Sequence, residues 1–143
     1  MSNFPGETSG CKLLQFRAIG DERGWLTPLE QGREIPFVVR RTYLIYQTRA
    51  GISRGFHAHY ALEQVVICVS GNCHFIVDDG RARHSYALDS PRTGLYVGPM
   101  MWREMHDFSP DCVLVVLASA LYDENDYIRD YDEFRRLVNR EGN

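Results

Sequence analysis

Short apolar runs separated by turn residues make up most of this chain. The runs are rich in β-branched and aromatic residues, and Gly, Pro, Asn and Asp stand between them. They predict strands over residues 37–46, 64–69, 73–77, 82–88, 94–97 and 112–118. Strands at this close spacing favour an all-β sandwich or barrel over a sheet of βαβ units.

Only the C-terminal segment has a helical pattern. The spacing of its apolar residues predicts a helix over 124–139, with one apolar face. This face comprises Tyr127, Ile128, Tyr131, Phe134 and Val138. Acidic residues early and arginines late in the segment suit the helix dipole. We interpret it as a packing element that closes the end of a barrel.

Length and charge limit the remaining possibilities. A chain of 143 residues has room for one core, so we expect a flexible leader at 1–12 and a single domain at 13–143. The net charge of −3 gives no reason to expect nucleic acid or a membrane surface as partner. It still permits a small anionic ligand, because a few arginines in one cleft suffice to bind one.

The chain shows neither an apolar stretch of membrane-spanning length nor a secretory signal, so we expect a cytoplasmic protein. The cysteines follow no CxxC spacing and are predicted to be reduced thiols, with Cys68 and Cys112 buried in apolar runs.

A histidine pair is the candidate chemical centre. Between Gly51 and Gly71 the order is five residues, His57, one residue, His59, three residues, Glu63 and seven residues. On a strand, residues two apart point to the same face, so both histidines would enter one space, and Glu63 could return to it. Such a cluster could bind a metal or transfer protons. The alternative is a half-exposed strand whose polar residues face water.

This spacing closely resembles the first signature of the cupin superfamily. The second signature, which contributes the last metal-binding histidine, fits poorly. Residues 94–106 contain Gly98-Pro99, but no histidine follows at the usual short distance, and His106 lies further on. The departure weakens the metal interpretation.

Longer segments carry a narrower resemblance. The chain resembles the WxcM-like dTDP-4-keto-6-deoxyglucose 3,4-ketoisomerases of the cupin superfamily from about residue 13 to 137. The matching segments are 21–26, 35–43, 54–65, 88–109, 112–119 and 122–134.

The resemblance implies a cupin β-barrel or jelly roll with a short C-terminal helix and no metal or other cofactor. The implied reaction converts a dTDP-linked 4-keto-6-deoxyhexose to the 3-keto isomer, for bacterial surface glycans or secondary metabolites. The implied assembly is a homodimer that exchanges N-terminal strands.

The resemblance also implies the site residues. His57 and His59 match the two active-site histidines, to which we assign base, acid and hydroxyl orientation without dividing these roles. The candidate substrate-binding residues are Arg23, Arg41, Tyr43, Arg54, Gln64, Trp102, Arg103 and His106.

Chemistry suggests roles for several of these residues. Arg41 and Arg54 suit a diphosphate, and Arg23, Tyr43 or Arg103 could donate to an enolate oxygen. Trp102 could stack on the base or line the sugar pocket. The plainer alternatives are a surface charge for Arg41 and Arg54, and packing for Tyr43 and Trp102. Without a metal, Glu63 is expected to be a hydrogen-bonding support.

One pair departs from the family pattern. Branches that give opposite C4 configurations carry Arg then His, or Tyr then Arg, at the positions matching Arg23 and Arg103. This chain combines Arg with Arg. The intact Asp-x-Arg-Gly element around Arg23 favours the galacto product.

Three other functions remain open. A metal-dependent cupin, such as an oxygenase, would use His57, His59, Glu63 and His106. A non-catalytic or regulatory cupin would bind a sugar nucleotide without turnover. A 3,5-epimerase would also remove protons beside a ketone on this scaffold.

Overall fold

The structure is a computed structural model that describes residues 10–141. Its strands are β1 (Cys11–Gln15), β2 (Ile19–Asp21), β3 (Gly24–Leu26), β4 (Arg41–Ile45), β5 (Arg54–His59), β6 (Gln64–Ser70), β7 (Cys73–Asp78), β8 (Arg83–Leu88), β9 (Thr93–Val97), β10 (Trp102–His106), β11 (Val113–Ala118) and β12 (Tyr127–Ile128). A 3₁₀ turn (Glu124–Asp126) and one α-helix, α1 (Tyr131–Glu141), complete the described part.

The strands build two five-stranded antiparallel sheets. One has the order β1-β9-β6-β11-β4, the other has the order β12-β5-β10-β7-β8, and β2 and β3 form a separate hairpin. The main core lies between the sheets. Val66 and Leu114 of the first sheet belong to one buried cluster with Phe75 and Val77 of the second. This sandwich of two antiparallel sheets confirms the predicted all-β jelly roll with a short C-terminal helix.

Each sheet is also covered on its outer face. Phe16, Ile35 and Phe37 pack on the outer side of the first sheet, against Val65 and Ile67. On the second sheet, α1 buries Phe134 against Trp102 and Ala58. The helix is therefore a packing element, as predicted, although it covers the face of a sheet.

The helix begins later than its apolar pattern predicts. Residues 124–139 were expected to be helical, but Tyr127 and Ile128 pair as strand β12 with His59 and Ala58 of β5. The helix starts at Tyr131. Ile128 is buried in the same cluster as Phe134. The short strand therefore buries a residue that the apolar pattern had assigned to a longer helix.

The predicted strands are confirmed within a few residues, except that β4 begins only at Arg41. Residues 37–40 leave the sheet because Phe37 packs on its outer face. β1, β2, β3 and β10 were not predicted. The first two residues of β1, Cys11 and Lys12, were assigned to the leader; the rest of that leader, apart from Gly10, lies outside the described residues.

All four cysteines are free thiols, and the predicted burial of Cys68 and Cys112 is confirmed; Cys11 and Cys73 are buried as well. Burial raises the pKa of the Cys68 thiol to about 12 and that of Cys112 to about 11. Within residues 10–141, no helix has the length and apolar character needed to cross a bilayer.

Candidate active site

His57 and His59 lie two residues apart on β5, with ring centroids 4.9 Å apart. Ala58, between them, faces the opposite way and is buried with Trp102 beneath α1. The two imidazoles therefore share the inner face of the sheet, as the period of a strand predicts.

A β-bulge immediately precedes this pair. Arg103 of β10 pairs with His57, whereas the next residue, Glu104, pairs with Gly55. Phe56 is thus the extra residue, and its backbone adopts a φ of 62°. A bulge changes the direction of the strand that carries it, and bulges are frequent beside active sites. Here the bulge sets the direction in which β5 carries His57 into the space between the sheets.

The Asp126 carboxylate contacts His59. Its Oδ2 lies 3.1 Å from His59 Nδ1. The same carboxylate accepts hydrogen bonds from the backbone amides of Ala61 (2.9 Å) and Leu62 (3.2 Å). A side chain from the 3₁₀ turn before β12 therefore joins the turn after β5 to one of the histidines.

Tyr127 covers both histidines. Its ring centroid lies 4.4 Å from that of His59 and 5.0 Å from that of His57. The Arg129 guanidinium lies 4.1 Å from the centre of the Tyr127 ring. Packing of this kind restricts the orientations that both imidazole rings can adopt.

A row of polar side chains crosses the interior beside the histidines. Arg103 Nη1 donates to Gln64 Oε1, and Gln64 Nε2 donates to the Tyr43 hydroxyl at 2.8 Å. Arg103 Nη2 donates to the Met101 carbonyl at 3.1 Å. Burial lowers the pKa of Arg103 to about 10, so the guanidinium remains charged at neutral pH. A buried cation therefore lies beside the imidazole pair.

A cavity of about 430 Å³ opens beside His59 and is also lined by Arg41, Glu63, Asp126 and Tyr127. A cavity of this size is in the range of small-molecule sites.

Three buried nitrogen atoms have no hydrogen-bond partner within the described residues: Arg41 Nε, His59 Nε2 and Arg103 Nε. Buried polar atoms rarely remain unpaired in the absence of a ligand or water. The unpaired atoms point to a polar ligand in this region.

Both histidines are neutral at physiological pH. Burial, with a contribution from the Arg103 cation, lowers the pKa of His57 to about 4 and that of His59 to about 2. A neutral imidazole can accept a proton, whereas an imidazolium cannot. Both rings are thus in the proton-accepting form at this pH.

The structure brings together the predicted site residues His57, His59, Arg41, Tyr43, Gln64 and Arg103. Trp102 and His106 lie apart from this group. Along β10, Trp102, Glu104 and His106 share the outer face, opposite Arg103 and Met105. Trp102 Nε1 and His106 Nε2 both contact Glu104, at 2.9 Å each, and Trp102 packs beneath α1.

Two further predicted residues, both arginines, are exposed in the single chain. Arg23, on the β2–β3 hairpin, has a side chain that is 87% exposed and pairs with Asp21. Arg54, at the start of β5, is exposed as well. Within one chain, the interpretation of Arg54 as a surface charge therefore fits the geometry better than substrate contact does, and Arg23 is exposed in the same way.

The residues that the metal-dependent alternative would use as ligands do not meet at one point in the structure. Glu63 accepts a hydrogen bond from the Tyr96 hydroxyl at 2.6 Å, as expected for a supporting residue. His106 lies on the outer face with Glu104 and Ser53. Residues 10–141 contain no arrangement of three or more His, Cys, Asp or Glu side chains that could hold a metal ion.

Sequence reasoning missed Asp126 and Tyr127. Both fall in the segment interpreted as helix, where they would lie on its surface and on its packing face. β12 has only two residues, which is too short to show a strand period. The resemblance over 122–134 was the one signal that this segment contributes more than packing.

Known proteins resemble this chain in sequence and in fold. The chain is 52% identical over 127 residues to a TDP-4-oxo-6-deoxy-α-D-glucose-3,4-oxoisomerase from Aneurinibacillus thermoaerophilus, covering 89% of this chain and 91% of that protein. A 3,4-ketoisomerase from Helicobacter canadensis superposes with a TM-score of 0.88 at 51% identity, over 90% of this chain and 97% of that one.

A histidine-to-asparagine variant of the 3,4-ketoisomerase QdtA from Thermoanaerobacterium thermosaccharolyticum, solved with TDP-4-keto-6-deoxyglucose, superposes with a TM-score of 0.91 at 40% identity. The superposition covers 94% of this chain and 97% of that one. Residues 9–139 match the family described as "FdtA: WxcM-like, C-terminal". With this match and relatives above half identity, the chain belongs to the FdtA family of WxcM-like sugar 3,4-ketoisomerase domains.

Proposed function

We propose that this protein is a cofactor-independent isomerase that converts dTDP-4-keto-6-deoxyglucose to a dTDP-3-keto-6-deoxyhexose. The observation that carries the proposal is the pair of neutral imidazoles, 4.9 Å apart, one of which, His59, lines a cavity in a region with unpaired buried nitrogen atoms. The relatives named as 3,4-oxoisomerases and ketoisomerases supply the substrate class.

The chemistry requires two proton transfers. The proton on C3 leaves, an enediol forms, and a proton is added at C4; meanwhile the proton on O3 leaves and O4 gains one. No atom or electron is exchanged with another molecule. Two bases that are neutral at rest match this requirement, because each can take a proton in one step and return it in the next. The close spacing of His57 and His59 suits transfer between adjacent carbons and between adjacent oxygens.

The negative charge that develops on the enediol oxygens requires a donor in a site from which water is excluded. Arg103 is fully buried, carries a charge and keeps its Nε unpaired within the described residues. Tyr43 is linked to the same row through Gln64. We assign stabilisation of the enediol to Arg103, with Tyr43 and Gln64 fixing its position.

Arg41 is the candidate diphosphate contact in the cavity. It lines the cavity wall, and its guanidinium carbon lies 5.2 Å from the Tyr43 ring centre, which holds the cation in place. An arginine suits a diphosphate because its planar fork binds phosphate oxygens in a bidentate manner. Arg54 would contact the nucleotide only if the bound sugar nucleotide extends beyond the cavity.

The decisive experiment is incubation of the purified protein with dTDP-4-keto-6-deoxyglucose, followed by NMR of the sugar. Loss of the C3 proton signal and a 3-keto product are expected. Inversion at C5 with the ketone kept at C4 would show an epimerase. Binding without any change in the sugar would show a non-catalytic module.

The metal-dependent alternative has its own test. Protein treated with a strong chelator should keep its turnover, because the histidines alone supply the bases. Elemental analysis of protein purified without chelator provides the control. Loss of activity on chelation, restored by one divalent metal, would contradict the proposal.

We further propose a homodimer that exchanges N-terminal strands. The β2–β3 hairpin forms its own small sheet and exposes Ile19, Trp25 and Leu26 by 56%, 68% and 60%. Exposed apolar side chains of this size suit an interface. Arg23 on this hairpin would then reach the site of the partner subunit. Light scattering should give twice the chain mass, and Trp25→Ser should weaken the dimer. A cytoplasmic location remains a prediction.

A further inference from the structure

We propose that Asp126 is a positioning residue that holds His59 with Nδ1 protonated and Nε2 free to accept a proton. This inference rests on the proposed isomerase activity, and it concerns a residue that the sequence did not single out. It is carried by the contacts of one carboxylate with three nitrogen atoms of β5 and the turn that follows.

The tautomer follows from the chemistry of the contact. An ionised carboxylate only accepts hydrogen bonds, so the ring nitrogen 3.1 Å from Asp126 Oδ2 must carry the hydrogen. In a neutral imidazole the other nitrogen then has a lone pair. That nitrogen, His59 Nε2, is buried and unpaired within the described residues. The free acceptor of the ring is therefore available to a ligand in the adjoining cavity.

The carboxylate is itself held in place from both sides. The amides of Ala61 and Leu62 donate to it, and the amide of Tyr60 donates to the Asp126 carbonyl at 3.0 Å. The Asp126 amide donates to the Asp123 carbonyl, which closes the 3₁₀ turn. Because the turn after His59 fixes Asp126 and Asp126 fixes the His59 ring, the two segments align each other.

The local charges give Asp126 a second effect. Arg41, Arg103 and Arg129 all disfavour a positive charge on His59. Asp126 is the anion in direct contact with the ring, so it favours the imidazolium that forms when His59 takes a proton. His57 differs, since its ring hydrogen-bonds to the backbone of Gly55 and no acidic partner contacts it in the described part of the chain. Asp126 therefore stabilises the protonated form of His59, whereas His57 has no corresponding anionic partner in the described part of the chain.

The test combines one substitution with one spectroscopic measurement. Asp126→Asn removes the charge and offers the ring an amide that can either accept or donate. Its turnover should fall by about 10²–10⁴-fold, the range for general acid–base catalysis, with TDP binding retained. Asp130→Asn is the matched control, because the Asp130 carboxylate also accepts a hydrogen bond from a backbone amide, that of Glu133, but contacts neither histidine. It should keep nearly full turnover.

¹⁵N NMR of histidine-labelled protein measures the tautomer directly. We expect His59 in the wild type to be protonated at Nδ1, and the Nε2-protonated form to increase in Asp126→Asn. A wild-type His59 protonated at Nε2 would overturn the inference, even if the variant failed to fold. So would a loss of turnover no larger than that of Asp130→Asn. A wild type without turnover would instead refute the proposed function, and the tautomer would still report on Asp126.

Discussion

Arg103 and His57 face each other across β10 and β5, at the last regular pair before the bulge at Phe56. Arg103 is only 1% exposed, and its charge adds to burial in lowering the pKa of His57 to about 4. The register of two strands thus places a cation where it keeps a base unprotonated. The same cation can stabilise an enediol oxygen. Arg103 would therefore contribute both to proton removal, by keeping His57 unprotonated, and to stabilisation of the intermediate.

The pH dependence of turnover should reveal this arrangement. Because neutral His57 is the active form and its pKa is lowered from 6.5 to about 4, kcat/KM should remain high as the pH falls through 6.5 and should decline only towards pH 4. Stability should decrease over the same interval, since the unfolded state binds the proton first. Circular dichroism at each pH separates the two effects. A decline centred near 6.5 in folded protein would contradict the lowered pKa.

Removing either imidazole should abolish most of the catalysis. His57→Asn and His59→Asn should fold and bind TDP, yet lose about 10²–10⁴-fold in turnover. The control is His74→Asn, which alters an exposed histidine on β7 that pairs with Asp107. Losses below about tenfold in both active-site variants would indicate that the pair is only the polar side of a strand.

Arg23 and Arg103 should together decide which face of the enediol receives the C4 proton. Both faces of a planar enediol are chemically similar, so about 1.4 kcal/mol between two binding poses gives a tenfold product ratio. A charged hydrogen bond contributes roughly 1.5–3 kcal/mol, which is enough to select a pose. Arg103→His should favour the galacto product and Arg23→Tyr the gluco product, with galacto expected for the wild type.

The H4–H5 coupling of the products identifies the C4 configuration. Because Arg23 lies on the exposed hairpin, its effect also requires the exchanged dimer. If the protein is a dimer and Arg23→Tyr still gives the wild-type product, then residues inside the barrel, and not Arg23, control the C4 configuration.

The C-terminal helix should contribute stability through one side chain above all. Phe134 is completely buried against Trp102 and Ile128. Phe134→Ala should lower the free energy of unfolding by about 3–5 kcal/mol, measured by urea denaturation. Arg135→Ala, on the exposed side of the same helix, should change it by less than about 0.5 kcal/mol. Equal effects of the two substitutions would show that the helix is not docked as described.

The sequence allowed the prediction that the His57 and His59 side chains share one face of a strand, because side chains along a strand alternate between its two faces with a fixed period. His57 and His59 need only lie on a strand to share a face, and apolar runs mark its neighbours. The same rule would have separated Trp102 and His106 from Arg103, had β10 been recognised. Its sequence, WREMH, mixes charged and apolar residues because both faces are buried, one in the core and one beneath α1.

Asp126 and Tyr127 could not be found from the sequence for a different reason. Their position depends on a two-residue strand that pairs with β5 across more than sixty residues of chain. The apolar spacing around Tyr127 and Ile128 fits a helix equally well. Only the tertiary contact with the histidine strand distinguishes the two conformations, and no local pattern encodes that contact.

The backbone amides of Ala61 and Leu62 donate to the Asp126 carboxylate, so their hydrogen exchange can report on motion of the 3₁₀ turn that carries Asp126. These two amides are outside any strand, so the 3₁₀ turn supplies their protection from exchange with solvent deuterium. Each time that turn lifts away, both amides become free to exchange together. Their exchange rates therefore measure how often the catalytic face is uncovered, and comparison with and without TDP would show whether product release waits for that opening.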